Sequence, residues 1–205
     1  MRFGFHISIA GGFSKVVERA HARGCETIQF FSRNPRGWKY SPLKKKEVKA
    51  FRSSIQSPVL FPIFLHMPYL PNIASSKSKF YKRSIHSIAT DLQRAEQLGA
   101  QYLIIHIGHR MDSSEDQAIE TVSQGINQAF EKVKNGVMLL TENTAGQGTE
   151  VGIPLIRSKK SSREFMTIKE WGSASTPPTL SRQAMISLIK MELIGPWKNS
   201  IKRLA

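Results

Sequence analysis

Three polar side chains close three apolar runs of this 205-residue chain: His66 ends "VLFPIFLH", His106 ends "YLIIH" and Glu142 ends "VMLLTE". A fourth, His6, ends the shorter run "RFGFH". Imidazole and carboxylate are donor types that zinc takes, and two histidines with one glutamate leave a coordination position open, as catalytic zinc sites do. Each residue alone has an ordinary reading as a hydrogen-bonded polar group at a strand end. Repetition on successive runs is what points to a shared centre at His66, His106 and Glu142, with Zn2+ as the expected ion. His6 is expected to orient its neighbours.

A second group lies in the loop "RNPRGWKY", which carries Arg33, Arg36, Trp38 and Tyr40. Interleaved basic and aromatic side chains suit phosphates and unstacked bases; the plainer reading is a solvated loop with Trp38 packed on the core. Tyr69 follows His66 by three residues, near enough to touch whatever the centre holds. His109 and Arg110 are candidates for the pocket lining, whereas His21 and His86 read as helix-surface residues and Lys44, Lys45 and Lys46 as the exposed start of a helix. The stretch "NTAGQG" matches neither common phosphate-binding fingerprint.

Alternating elements must position these groups. Strands are expected at "RFGFHI", "ETIQFFS", "VLFPIFLHM", "YLIIHIG" and "VMLLTEN". Between them lie helical segments: "KVVERAHARG" closed by Gly24, "KKKEVKAFRSSIQ", "SKFYKRSIHSIATDLQRAEQLGA" closed at Gly99, and "SEDQAIETVSQGINQAFEKVKNG". Near-continuous apolar strands alternating with helices imply an α/β architecture with a parallel sheet covered by helices. Five such steps fit a doubly wound sheet or part of a (β/α)8 barrel, and a complete barrel typically needs ~250 residues. In a barrel the strand ends converge on one face, which would gather residues distant in sequence.

No apolar run is long enough to span a membrane, and "MRFGFHISIAGG" lacks the pattern of a secretory signal. The single cysteine, Cys25, excludes an intramolecular disulfide framework, so a reducing, cytoplasmic setting is expected. The net charge of +15 favours an anionic partner, but it is uneven: residues 1–152 carry a net +8 and residues 153–205 a net +7, the latter with no Asp and no His.

In order and spacing, "HISIAGG", "FFSRNPRGW", "LHMPYLPN", "IIHIG" and "TENTAGQGTEVG" resemble the endonuclease IV family of apurinic/apyrimidinic (AP) endonucleases. The resemblance covers residues 1–152 and implies a TIM barrel, here partial with about five βα units. It further implies three zinc ions at the C-terminal face and hydrolysis by zinc-activated hydroxide of the phosphodiester 5′ to an abasic site, in DNA base excision repair. By motif, His66, His106 and Glu142 correspond to zinc ligands, with Glu142 bridging two metals and acting in catalysis. Arg36 and Tyr69 correspond to residues that enter the DNA and help extrude the damaged nucleotide, a step that is easier at a damaged site. The implied partner is double-stranded DNA containing abasic sites, met by a monomer.

After Gly152 the resemblance stops. Codons compatible with "SASTPPTLSRQAMI", residues 173–186, can be read one nucleotide out of phase as V-C-L-D-T-A-H-A-F-A-A-G-Y-D, which resembles the family's next zinc motif. The hidden Asp and His would lie under Thr176 and Thr179. Residues 153–205 are therefore expected to be an out-of-frame, disordered tail rather than a divergent domain. The outer edges of the first and fifth strands would then be unpaired, and the chain, short of ligands, would be impaired as a nuclease. A metal-dependent sugar isomerase or epimerase of related fold and an inactive gene remnant are the alternatives.

Overall fold

A computed structural model describes residues 2–56, 60–75, 77–143, 149, 165–169 and 185–186. Strands β1 (Gly4–His6), β2 (Thr27–Phe31), β3 (Ile63–His66), β4 (Tyr102–His106) and β5 (Met138–Asn143) alternate with helices α1 (Phe13–His21), α2 (Lys45–Ser54), α3 (Ser78–Leu98) and α4 (Glu115–Lys132). Each of the five strands pairs in parallel with the next in sequence. Of the two architectures the alternation allows, strand order that follows chain order without reversal is that of part of a (β/α)8 barrel, the partial TIM barrel expected from the resemblance.

Two further strands correct one expectation. The unpaired edges predicted for the first and fifth strands are both occupied: β6 (Phe165–Lys169) runs parallel to β5, and β7 (Met185–Ile186) antiparallel to β1. The sheet therefore has seven strands in the order β6-β5-β4-β3-β2-β1-β7. An exposed edge presents unpaired N–H and C=O groups that accept another strand with little regard to its side chains, so pairing there does not require a family-like sequence. The remainder of 153–205, with Thr176 and Thr179, lies outside the described residues.

Side-chain alternation decides which residues face the helices. Ile28, Phe30, Ile63, Leu65, Leu103, Ile105 and Leu139 join the main core with Val16, Phe51, Ile88, Leu92 and Ile126 from the helices. Phe13, Phe30 and Phe51 meet at ring-centroid separations of 5.4–6.1 Å, fastening α1 and α2 to β2. The opposite face holds a smaller cluster of Phe64, Ile104 and Leu140 with Tyr102 and Met138 against it. Two positions further along the same strands, and so on this same face, stand His66, His106 and Glu142, because side chains two apart share a face.

Local chemistry fixes the ends of the helices. Ser114 accepts a hydrogen bond from the Gln117 N–H and its own N–H donates to Gln117 Oε1, a capping box on α4. Glu115 and Asp116 follow in its first turn, where the helix dipole favours acids. Gly99 ends α3 in the left-handed conformation, φ 76°. On α4, Gly125 permits close approach: a Cβ there would stand 2.5 Å from Ile73 Cδ1.

Candidate active site

The C-terminal ends of β3, β4 and β5 bring three donor atoms to one place. His66 Nε2 lies 2.7 Å from Glu142 Oε2, and His106 Nε2 lies 3.6 Å from the same oxygen. Parallel register explains why: His106 is the partner of Glu142 in the β4–β5 ladder, and His66 is the partner of Ile104, one alternation below His106. The ligand atoms of the three residues all lie within 4.8 Å of one another. His66 is almost fully buried, whereas His106 keeps a quarter of its side chain exposed (25 %), so the cluster opens to solvent on the His106 side.

The protonation pattern suits a cation. His66 Nδ1 is 2.7 Å from the Met67 carbonyl, which can only accept, so Nδ1 carries the hydrogen. Nε2, the other ring nitrogen, stands 2.7 Å from a carboxylate oxygen. Two lone pairs face each other comfortably only with a proton or a metal ion between them. A backbone carbonyl that fixes the tautomer and ring orientation is also the usual support behind a metal-bound imidazole. The donor types, with their ligand atoms within 4.8 Å of one another, could hold a metal ion.

His6 stands at the margin of this cluster. Its Nδ1 accepts from the Gln29 amide at 2.9 Å, while its buried Nε2 has no hydrogen-bond partner among the described residues. Phe31 lies against both the His6 ring, at 4.4 Å, and the His66 ring, at 5.5 Å. Burial, reinforced by the nearby His66 and opposed by Glu142, lowers the His6 pKa to about 4, so the ring is neutral at physiological pH.

The two residues assigned to DNA by motif sit differently. Tyr69 is 63 % exposed, and its ring packs against Phe31, His66 and His106 at 5.4–5.8 Å. It forms the outer wall of the cluster. Arg36 is exposed, and among the described residues its side chain makes no hydrogen bond or ion pair; only its N–H is held, by Asn34 Oδ1 at 3.0 Å. The rest of "RNPRGWKY" divides. Arg33 and Tyr40 turn inward and bond to each other, and Trp38 is half-buried beneath the Arg83 guanidinium at 4.1 Å.

A pocket of about 600 Å³ adjoins the cluster, lined by Tyr69, Asn72, Lys77, Phe80, His106 and His109 among others. His109 lines it as expected; Arg110 instead donates to the Ser113 carbonyl and is absent from the lining. His21 and His86 are exposed on their helices, and Lys44, Lys45 and Lys46 are exposed at the start of α2.

Sequence reasoning missed Asn72, which ties the loops after β3 and β4 together. Its Oδ1 accepts from the His109 and Ala74 N–H groups, and its Nδ2 donates to the His109 carbonyl. Gly108, at φ +94°, makes room for it, since a Cβ there would stand 2.3 Å from Asn72 Oδ1. An asparagine closing "PYLPN" opposite a glycine closing "IIHIG" was the available signal.

Fold and donor set together define a parallel α/β partial barrel with a His/Glu cluster at its strand ends. Residues 17–171 match the family model of the xylose isomerase-like TIM barrel, and the chain belongs to that family. Within it the likeness is to endonuclease IV. A probable endonuclease 4 of Methanoculleus marisnigri is 44 % identical over 150 residues, which is 73 % of this chain and 53 % of the relative. The crystal structure of endonuclease IV from Thermus thermophilus superposes with a TM-score of 0.64 at 36 % identity, over 74 % of this chain and 55 % of that one. A D-tagatose 3-epimerase-like protein superposes at 0.56 with 15 % identity, covering 73 % and 56 % of the two chains, which is a likeness of fold alone. The chain spans about half the length of these relatives.

Proposed function

We propose that this chain carries the N-terminal part of a zinc-dependent DNA endonuclease that hydrolyses the phosphodiester 5′ to abasic sites. The observation that carries the reading is the convergence of His66 and His106 on one carboxylate oxygen of Glu142, at 2.7 and 3.6 Å, in a chain similar to proteins named endonuclease 4. These three residues would hold zinc, and the resemblance to the family would give Glu142 the bridging position between two ions. Zinc held there supplies a Lewis acid and lowers the pKa of a bound water to ~7, the form of nucleophile that phosphodiester hydrolysis needs near neutral pH.

The chain's own residues account for the remaining roles. His66 is locked by the Met67 carbonyl, so its Nε2 stays aimed at the centre. Tyr69, on the exposed rim of the cluster, and Arg36, whose guanidinium is uncommitted among the described residues, are the side chains we assign to contact with DNA. A net charge of +15 supports a polyanionic partner, though residues 153–205 supply almost half of it.

The tail bears on competence. We read residues 153–205 as out of frame from about Gly152, and a three-zinc site needs more ligands than the three gathered among the described residues. The purified 205-residue chain is therefore expected to cleave an abasic duplex weakly or not at all in the presence of zinc. Robust cleavage abolished by a chelator would overturn that expectation while supporting the endonuclease reading. Turnover of a ketose without action on abasic DNA would overturn the endonuclease reading itself. Resequencing the gene across codons 145 to 160 decides the frame: loss or gain of one nucleotide relative to this sequence would restore the family's reading.

A further inference from the structure

The loop after β2 is fastened from beneath by buried charges. The Ser32 hydroxyl donates to Asp91 Oδ1 at 2.8 Å and accepts from Arg94 Nε at 2.9 Å. The same Arg94 guanidinium donates to the Ser32 carbonyl and, at 2.8 Å, to the Ser41 carbonyl, so one side chain of α3 holds both ends of the loop. Arg33 holds its middle. It donates to the Gly37 carbonyl, to the Tyr40 hydroxyl at 2.7 Å and to Ser87 Oγ at 2.9 Å, and its guanidinium lies 3.9 Å from the centre of the Tyr40 ring. Asp91 stands between the two arginines with its side chain fully buried, Oδ2 lying 3.8 Å from Arg33 Nη2.

These contacts turn Arg33 and Tyr40 inward and leave Asn34, Arg36 and Lys39 exposed, with Trp38 half-buried beside them. A buried acid between two arginines is a costly fastening, because each charge must leave water. Asp91 Oδ2 and Arg33 Nε have no hydrogen-bond partner among the described residues, so the compensation is incomplete. Burial also pushes the Asp91 carboxyl up to about 6 against the pull of Arg33, Ser32 and Arg94, so ionisation costs more here than in water although the carboxylate is still the major form at neutral pH. Apolar packing would hold α3 on β2 without that cost. What the charges add is a loop with a single shape.

We infer that Asp91, acting with Arg94 and Arg33, is a positioning residue that holds residues 34–40 in one conformation, presenting Arg36 and Trp38 as a preformed DNA-reading surface. The clamp follows from the geometry above; its use for DNA rests on the proposed function. A loop ordered before binding spares the complex the entropy of ordering it afterwards.

Two measurements on the 205-residue chain separate those parts. In hydrogen exchange, Asp91→Asn is expected to speed exchange of the loop amides, above all that of Arg36, which Asn34 Oδ1 holds, about tenfold or more while β4 and α4 keep their protection. Unchanged loop amides, or acceleration throughout the fold, would overturn the clamp. Should Asp91→Asn fail to fold, Tyr40→Phe removes only the hydroxyl that joins Arg33 to Ser87 and is expected to accelerate the same amides by a smaller factor; no change would again overturn it. The second measurement is fluorescence anisotropy with a labelled duplex containing a tetrahydrofuran abasic analogue. Asp91→Asn alone is expected to weaken binding about fivefold, yet to change affinity little in an Arg36→Ala background, the signature of coupled residues. Fully additive losses would overturn positioning through Arg36. If the unsubstituted chain binds abasic and intact duplexes equally, the DNA reading falls, and exchange still decides the clamp.

Discussion

Replacing Asp91 with asparagine gives a prediction whose sign can be worked from the structure. Asp91 is buried, and its pKa is raised from 3.8 to about 6, burial outweighing Arg33, Ser32 and Arg94. A carboxyl with a higher pKa in the folded protein than in the unfolded chain binds its proton more tightly when folded. The stability that proton supplies is complete below pH 3.8 and is lost as the pH rises through about 6. The shift corresponds to a loss on the order of 3 kcal/mol across that window. Asparagine stays neutral throughout and keeps an oxygen for Ser32. Urea denaturation of both proteins at a series of pH values between 4 and 7 should show the variant gaining on the wild type by a few kcal/mol as the pH rises. His66, Tyr40 and the two arginines face the carboxyl in both proteins, so their contributions largely cancel in the comparison. A difference that stays flat with pH, or that favours the wild type increasingly toward pH 7, would refute the argument that burial dominates at Asp91.

Other substitutions probe the site and the scaffold separately. His66→Ala and His106→Ala should each weaken zinc binding by more than the roughly 10–100-fold that follows loss of a merely supporting group, as measured by competition with a chromophoric chelator. Arg36→Ala should leave the denaturation midpoint almost unchanged, within about 0.5 kcal/mol, while lowering affinity for an abasic duplex; a large stability change would show that the exposed side chain has a structural role. Leu140 is fully buried beneath the strand-end cluster, and Leu140→Ala should destabilise by about 2–5 kcal/mol in chemical denaturation. At Gly125, valine would force its branched side chain toward an Ile73 atom that already stands 2.5 Å from the Cβ position. A loss of about 1–3 kcal/mol is expected there, read from the thermal midpoint.

The sequence made the strand ends legible because the apolar runs of β3, β4 and β5 are nearly continuous and each is broken by a polar residue at its end. Period-two alternation then put His66, His106 and Glu142 on one face, and the structure brings all three together. Helix boundaries were readable where chemistry marks them, at Ser114 and Gly99. The two edge strands were not readable, since main-chain pairing at an open edge needs no hydrophobic pattern. Division of the loop after β2 was also missed. Interleaved charge and aromatics look alike whether they face solvent or a buried acid, so Arg33 and Arg36 could not be separated from the loop alone. The distinguishing signal lay in α3. There Ser84, Ser87, Asp91 and Arg94 recur at three- and four-residue spacing beside the apolar Ile85, Ile88, Leu92 and Ala95, which places a polar stripe on the buried face.

The most direct test is calorimetric titration of zinc into the chelator-stripped 205-residue chain, compared with Glu142→Gln. Glu142→Gln keeps the shape of the side chain and removes the carboxylate that both imidazoles approach. The account predicts a zinc site in the wild type that is lost or severely weakened in the variant, with both proteins folded by circular dichroism. Equal stoichiometry and affinity in the two would contradict the assignment of His66, His106 and Glu142 as the metal centre.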